Sequence, residues 1–413
     1  MARFGTFAAL DIGSTKICCF VGEAEENARI RVTGIGHHAS AGVRAGAIVD
    51  MEAAEAAILS AVHGAEQMAG ATIQDVVVSL NAGQPTSMTS QGELAIGGGA
   101  IRDGDVRKLL TEGRLRADGG DRLLIHAVPA GFAIDGANGI KDPRGMHGQI
   151  LSAKMHLVTA ENSAVQNLAT CVSRCHLTIA DFVVGPYAAG LAALVEDEKD
   201  LGVTVIDMGG GTTSFAVFYD GAMIHSDCIP IGGNNVTMDI ARGLSTPVSH
   251  AERLKTLHGN AMPSTADERE MVDAPQIGEE DDGHPNRVAK SFLISIIAPR
   301  VEETIEIVRD RLHRSGVAGL AGQRVVLTGG GAQLPGLREV ASRILGKNVR
   351  LGRPMGMPGL AEATNGPAFA TCAGLLTFAV DDQGEARATQ PKRVEDESEG
   401  VFSRLGGWLR ENF

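Results

Sequence analysis

Val203-Thr-Val-Ile-Asp207-Met-Gly-Gly-Gly-Thr-Thr-Ser-Phe-Ala-Val217 runs from an apolar strand through a glycine turn and two threonines into a second apolar strand. A β-rich run ending in Asp, followed by glycines with no helix former among them, predicts a tight hairpin. Glycine lets the main chain come close to whatever lies above the turn. It also aims successive N–H groups there, which suits a phosphate. Thr212 and Thr213 add hydroxyl donors, and Asp207 at the strand end can hold a cation through its water shell. Taken alone, the stretch also fits an ordinary glycine-turn hairpin.

It is not alone. Phe7-Ala-Ala-Leu-Asp11-Ile-Gly-Ser-Thr-Lys-Ile-Cys-Cys-Phe-Val21 repeats the grammar, with Lys16 adding a positive charge suited to a phosphate. Two such hairpins in one chain predict a duplicated fold whose halves each supply one jaw of a nucleotide cleft. A third glycine turn, Val325-Val-Leu-Thr-Gly-Gly-Gly-Ala332, follows another β-rich run and precedes a helix expected from near Pro335. Three glycine turns in this order resemble the actin/Hsp70/sugar-kinase superfamily, in which two loops hold phosphate and a third meets adenosine.

A chain of 413 residues is too long for one core, so two to four domains are expected. The net charge of −13 argues against nucleic acid as the main partner, because phosphate backbones need a basic face. Met1-Ala-Arg-Phe leads straight into a strand pattern rather than a signal peptide, and no apolar run is long enough to span a bilayer. Cys18, Cys19, Cys171, Cys175, Cys228 and Cys372 form no paired framework and read as reduced core residues of a cytosolic protein. Cys171, Cys175 and His176 fall in a helical pattern, which disfavours a metal site.

In chain order, residues 1–80 and 158–200 predict a first α/β lobe, with Asp50 capping a helix Met51–Met68 and a strand at Asp75–Leu80. Gly34-Ile-Gly36 looks like half a dinucleotide fingerprint, but no helix opens on it. Residues 81–157 change texture to short glycine-punctuated β pieces around one helix, Asp103–Arg116, apolar at Val106, Leu109, Leu110 and Leu115. They predict a small inserted α+β subdomain with no catalytic cluster, best suited to protein contact. Beyond it come helix Ala160–Cys175, strand Leu177–Val184, helix Tyr187–Val195 and an acidic turn Glu196–Asp200. A second lobe is expected over 201–231 and 323–380, with a smaller helical part at 232–322. Within that part Gly232 and Gly233 precede a helix at Val236–Gly243. Ser249 reads as the N-cap of the next helix, with Glu252 completing a capping box and facing Lys255. Asn260–Asn286 read as loops, Asn286–Ser315 as a long helix bent at Pro299, and Pro367–Phe378 as the last helix of the lobe.

From Asp381 to Gly400 the chain is charged and lacks core residues, as a disordered linker would be. Apolar residues then return. On a helical wheel Val401, Phe402, Leu405, Trp408, Leu409 and Phe413 share an arc of roughly 140°, opposite Ser403, Arg404, Arg410 and Glu411. An amphipathic helix behind a tether reads as a membrane-surface anchor, with docking on its own domain or in a partner's groove as alternatives. Gly406 and Gly407 each weaken the isolated helix by about 1 kcal/mol, so folding on binding is expected.

The order of these motifs and the closing helix resemble the FtsA family, bacterial actin-like cell-division proteins that tether the tubulin-like FtsZ ring to the inner membrane. The resemblance covers essentially the whole chain and implies an actin-like two-lobed α/β fold with the FtsA-type inserted subdomain. It implies ATP and Mg2+ as ligands. Gly13, Ser14, Thr15 and Lys16 would form the first phosphate loop, and Gly210, Gly211, Thr212 and Thr213 the second. Asp11 and Asp207 would hold Mg2+ through water. Gly232, Gly233, Glu252 and Lys255 would contact the nucleotide, and Gly329, Gly330 and Gly331 would lie against adenine and ribose. Phe402, Leu405, Trp408, Leu409 and Phe413 would enter an anionic membrane surface. Partners would be FtsZ, docking on the smaller lobe near Arg300, further copies of the chain in a filament, and later division proteins. The location would be the cytoplasmic face of the inner membrane at the division site.

One departure affects chemistry. Many ATPases of the superfamily carry an acidic residue before the Pro of the first connecting helix, where this chain has Gly185. A missing base costs about 10²–10⁴ in rate, so weak or negligible hydrolysis is expected. Two other readings compete, a pilus-assembly protein of the same fold and a sugar or acid kinase. The former would not be expected to end in an amphipathic helix, and the latter needs a catalytic Asp that does not stand out.

Overall fold

The computed structural model describes residues 5–25, 30–115, 120–278 and 286–380. The proposed linker and the amphipathic segment 401–413 lie outside them. Two sheets carry the architecture. The first orders its strands Thr178–Val184, Asp75–Leu80, Thr6–Ile12, Lys16–Ala24, Ile30–Ala39, the first three mutually parallel and the last two added antiparallel. The second begins Asn348–Leu351, Arg324–Thr328, Val203–Met208, Thr213–Tyr219, Ala222–Ile229, with the same sequence of parallel and antiparallel pairings. The duplication read from the two Asp-Gly hairpins is therefore a duplication of whole sheets. In each sheet the hairpin strand that carries the Asp is central; it is wholly buried in the second sheet and buried at Ala8, Ala9, Leu10 and Ile12 in the first, which is why it reads as an apolar run.

Four more strands, Thr86–Ala95, Ile150–Glu161, Arg122–Ile134 and Ala137–Ile140, extend the second sheet. Among the described residues only the pair Asp227–Thr86 joins them to it in the ladder, reinforced by the Ser87 hydroxyl, which donates to Ser226 O and accepts from Ser226 N, both at 2.6 Å. Helix Asp103–Leu115 covers one face of these strands through Val106, Leu109 and Leu110, which pack on Phe132, Leu151 and Met155. Leu115, expected on the apolar side, is 60% exposed because it falls at the helix end, past the sheet.

Local readings hold where side chains act on their own backbone. The Asp50 carboxylate accepts from Ala53 N at 3.1 Å and starts helix Met51–Ala69. Elsewhere neighbours decide, and in places the structure differs from the local reading. Gly34 and Gly36 lie in a strand beneath that helix, where a Cβ would come within 2.3 Å of Ala65 O and 1.9 Å of Ala61 O. They are packing glycines and not half of a dinucleotide motif. Helix Val248–His258 begins after Pro247, so Ser249 is inside it and caps nothing. Glu196–Leu201 is a short helix rather than a turn. The strand Ile150–Glu161 runs on to Glu161 because its end pairs with Arg122–Leu124, which delays the next helix to Asn162–Arg174. Helix Lys290–Arg314 continues through Pro299 but starts later than expected, because Arg287–Ala289 forms a strand that pairs with Met271–Asp273 from the expected loop. All six cysteines are buried and free.

Where the inserted strands meet the two lobes, His126, His156 and His225 cluster. His126 Nε2 accepts from Val184 N at 3.0 Å, and His156 Nε2 lies 2.8 Å from the Ser87 hydroxyl. Burial holds both imidazoles neutral and pushes their pKa from 6.5 down to about 3. Groups depressed in the folded state contribute stability above 6.5 that is lost as pH falls toward 3, at about 1.4 kcal/mol per pH unit each. Lowering the pH from 6.5 to 5.5, through the start of that range, should therefore cost about 2 kcal/mol. Urea midpoints at the two values measure it, and a flat profile would contradict neutral burial.

Candidate nucleotide cleft

The three glycine turns open onto one cavity of about 520 Å3 between the lobes. The first two turns close alike. Gly13 N donates to Lys16 O at 3.0 Å, and Gly209 N donates to Thr212 O at 2.8 Å. They meet tip to tip, since a Cβ on Gly210 would fall 1.6 Å from Thr15 Oγ1 and one on Gly211 2.4 Å from Ser14 Oγ. Glycine is needed here for close approach. The start of helix Gly233–Leu244 is sewn to the second turn, with Gly233 N donating to Gly209 O at 3.0 Å and Asn234 N to Gly210 O at 2.7 Å. In the third turn Gly329 adopts φ 85° directly against the Asp207 carboxylate and the Met208 carbonyl.

Asp11, Gly13, Ser14, Thr15, Lys16, Asp207, Gly210, Gly211, Thr212, Gly232, Gly233, Glu252, Lys255, Gly329, Gly330 and Gly331 all line this cavity. Thr213 does not. It is fully buried as the first residue of its strand, because side chains alternate faces from the turn onward. Glu252 and Lys255 are bound into one cluster. Lys255 Nζ donates to Glu252 Oε2 at 2.6 Å, Thr237 Oγ1 at 2.9 Å and Gly233 O at 3.2 Å. The Thr237 hydroxyl reaches the same Glu252 oxygen at 2.5 Å. This is a frame joining two helices at the cavity wall rather than an isolated surface pair. Arg300 is 27% exposed, and its guanidinium bridges Asp239, at 2.6 Å from Nε, and Glu303.

Two carboxylates dominate the electrostatics. Burial, and then the neighbouring charge of Asp11, push Asp207 up to about 6. Loss of water raises Asp11 as well, opposed by its hydrogen bond with Ser79 and by Lys16. Two acids sharing a desolvated floor form a donor set that a hydrated divalent cation would satisfy. Lys16 sits across from them. Its ammonium donates to Ala368 O at 2.8 Å and lies 3.3 Å from the centroid of the Phe369 ring. Thr371 donates to Asp207 Oδ2 at 2.8 Å.

Ala368, Phe369 and Thr371 lie at the head of helix Ala370–Val380, which packs on helix Gly185–Ala193 between the lobes. Sequence reading missed them because nothing in Pro-Ala-Phe-Ala-Thr resembles a binding motif. It also missed Asn81, Asn234 and the apolar wall of Val236, Val301, Leu334 and Leu337. Only the hydroxyls and amides at strand and helix ends could have pointed to them.

The family model described as cell division protein FtsA matches residues 204–374, and that of the SHS2 domain inserted in FtsA matches residues 82–159. A cell division protein FtsA of Agrobacterium fabrum is 44% identical over 98% of this chain and 94% of its own length. The chain belongs to the FtsA family. Among solved structures, a PilM–PilN type IV pilus biogenesis complex matches 93% of this chain and 99% of its own, at TM-score 0.62 and 16% identity. MreB5 of Spiroplasma citri bound to ADP matches 92% and 98%, at TM-score 0.54 and 14% identity. At those identities the likeness concerns the fold, which for an FtsA-family chain is the actin-like two-lobed one. Family membership makes this a cell-division protein with partners in a division complex. Among the described residues no helix is long and apolar enough to cross a membrane.

Proposed function

We propose that this FtsA-family protein binds ATP with Mg2+ in the cleft, assembles into an actin-like filament, and tethers FtsZ polymers to the cytoplasmic face of the inner membrane through residues 401–413. The convergence of three glycine turns, Lys16 and two desolvated carboxylates on one cavity carries the nucleotide half of this reading. That MreB5 of the same fold has been crystallised with ADP and with AMPPNP supports it. Main-chain N–H groups of the two tip-to-tip turns and the Lys16 ammonium would receive the phosphates. Thr15, Thr212 and Asn234 add polar side chains there. Asp11 and Asp207 would hold Mg2+ through water, and the cation would offset the loss of water that now raises both acids. Glu252 and Lys255 would meet the ribose, and Gly329–Gly331 the adenine.

In this reading residues 81–157 form the subdomain that meets later division proteins. Residues 232–322 receive FtsZ, with Arg300 contributing once it leaves Asp239 or Glu303. The amphipathic arc of Phe402, Leu405, Trp408, Leu409 and Phe413 supplies the anchor. Gly185 offers no base, so ATP acts chiefly as a conformational and polymerisation ligand and turnover is slow.

Co-sedimentation with anionic-lipid vesicles tests the tether. The full chain should pellet and bring FtsZ polymers down, whereas a chain ending at Glu399 should stay in the supernatant. If both stay soluble, the tether reading fails.

A further inference from the structure

Asn81 follows the strand Asp75–Leu80 and lines the nucleotide cavity. Its Oδ1 is buried with no hydrogen-bond partner among the described residues. A buried, unpaired acceptor is costly and rare, so its presence at a cleft calls for a ligand. The surroundings fix where it sits. A Cβ built on Gly185 would lie 2.5 Å from Asn81 Oδ1 and 3.1 Å from its Cγ and Nδ2. The carboxamide thus fills the space an acidic side chain at 185 would enter. The Asn81 main chain is held too: a Cβ on Gly46 would fall 2.6 Å from its main-chain carbonyl oxygen, and Gly46 N donates to Ser14 Oγ at 3.1 Å, which ties Asn81 to the first turn.

We propose, resting on the nucleotide reading above, that Asn81 holds the position of the missing base and orients the water facing the terminal phosphate. As an amide it accepts a hydrogen bond from that water but cannot take its proton. The slow turnover would then follow from what stands at 81 as much as from what is absent at 185. A carboxylate at 81 completes the step. The water oxygen bonds to the terminal phosphorus, the bond to the bridging oxygen breaks, ADP leaves with that electron pair, and the water proton passes to the carboxylate.

The test compares the full chain with N81D and N81A. Mg2+-dependent binding of a fluorescent ATP analogue is measured first, and phosphate release is then followed per bound ATP from pH 5 to 8. N81D should release phosphate at least about tenfold faster than the natural chain, with an acid limb as the new carboxyl protonates, while N81A should bind ATP without that gain. N81D bound to ATP with unchanged turnover overturns the assignment. So does a loss of binding in both variants, which would make Asn81 part of the binding frame. If the natural chain itself binds no ATP, the nucleotide reading has failed instead, and that is seen before any variant is assayed.

Discussion

Asp207→Asn is expected to make the nucleotide-free protein more stable by about 2 kcal/mol at pH 7.5 while weakening Mg2+-dependent ATP binding about 30-fold or more. Asp207 is buried beside Asp11, and its pKa of about 6 against 3.8 measures what ionisation costs there. Asparagine removes that charge, keeps the volume, and retains an oxygen for the Thr371 hydroxyl that now donates to Oδ2. The sign with pH follows. A group raised in the folded state contributes stability that is full below 3.8 and lost as pH rises through about 6. The advantage of the variant should therefore be present above pH 6 and shrink toward pH 4. In the natural chain Mg2+ must displace the protons these acids hold, so its apparent affinity should climb with pH up to about 6. Urea unfolding with and without Mg2+-ATP at pH 7.5 and 4.5 reads both effects. A variant less stable than the natural chain at pH 7.5 without nucleotide would recast Asp207 as a structural residue.

That trade of stability against binding shows which parts of the fold were legible in the sequence. The two Asp-Gly hairpins could be read because strand, turn and strand are local, and a glycine turn leaves few alternatives. Their duplication in the sequence already implies a second sheet of the same kind. Thr213 could not be placed, because whether the second threonine faces the cavity or the core depends on one residue of strand register. Ser249 failed as a cap for a similar reason, since Pro247 had already set where the helix begins. Gly34 and Gly36 could be set aside as a phosphate motif because no helix opens on them, but the helix packed above them could not be read. The segment Pro367–Thr371 was invisible as a site. Its role comes from Lys16 and Asp207, 352 and 164 residues away from their partners in the chain, reaching it from both jaws. The same holds for Asn81, whose meaning depends on the glycine at 185.

Helices Gly185–Ala193 and Ala370–Val380 cross between those two jaws, and the second large effect is expected there. Gly374→Ala should destabilise the protein by about 3 kcal/mol, whereas Gly64→Ala should stabilise it by about 0.5–1 kcal/mol. Both glycines lie in helix interiors, where alanine is ordinarily favoured because it restricts the unfolded chain and favours helix. At Gly64 the new methyl meets only Gly36 Cα at 3.5 Å, an ordinary contact. At Gly374 it would fall 1.7 Å from Ala188 O and 2.3 Å from its carbonyl carbon. That neighbour is helix backbone of Gly185–Ala193, which has no rotamer to yield. The two helices must move apart, and neither end is free to follow. One carries Thr371 to Asp207, while the other starts at Gly185, against Asn81. Parting them should therefore also loosen the cleft, so the Gly374 variant should lose ATP affinity at temperatures where it remains folded. Urea midpoints for the two variants, with ATP titrations on the folded protein, test both parts. Equal stability changes at the two sites would mean that the crossing is loose and that the lobes do not hinge on it.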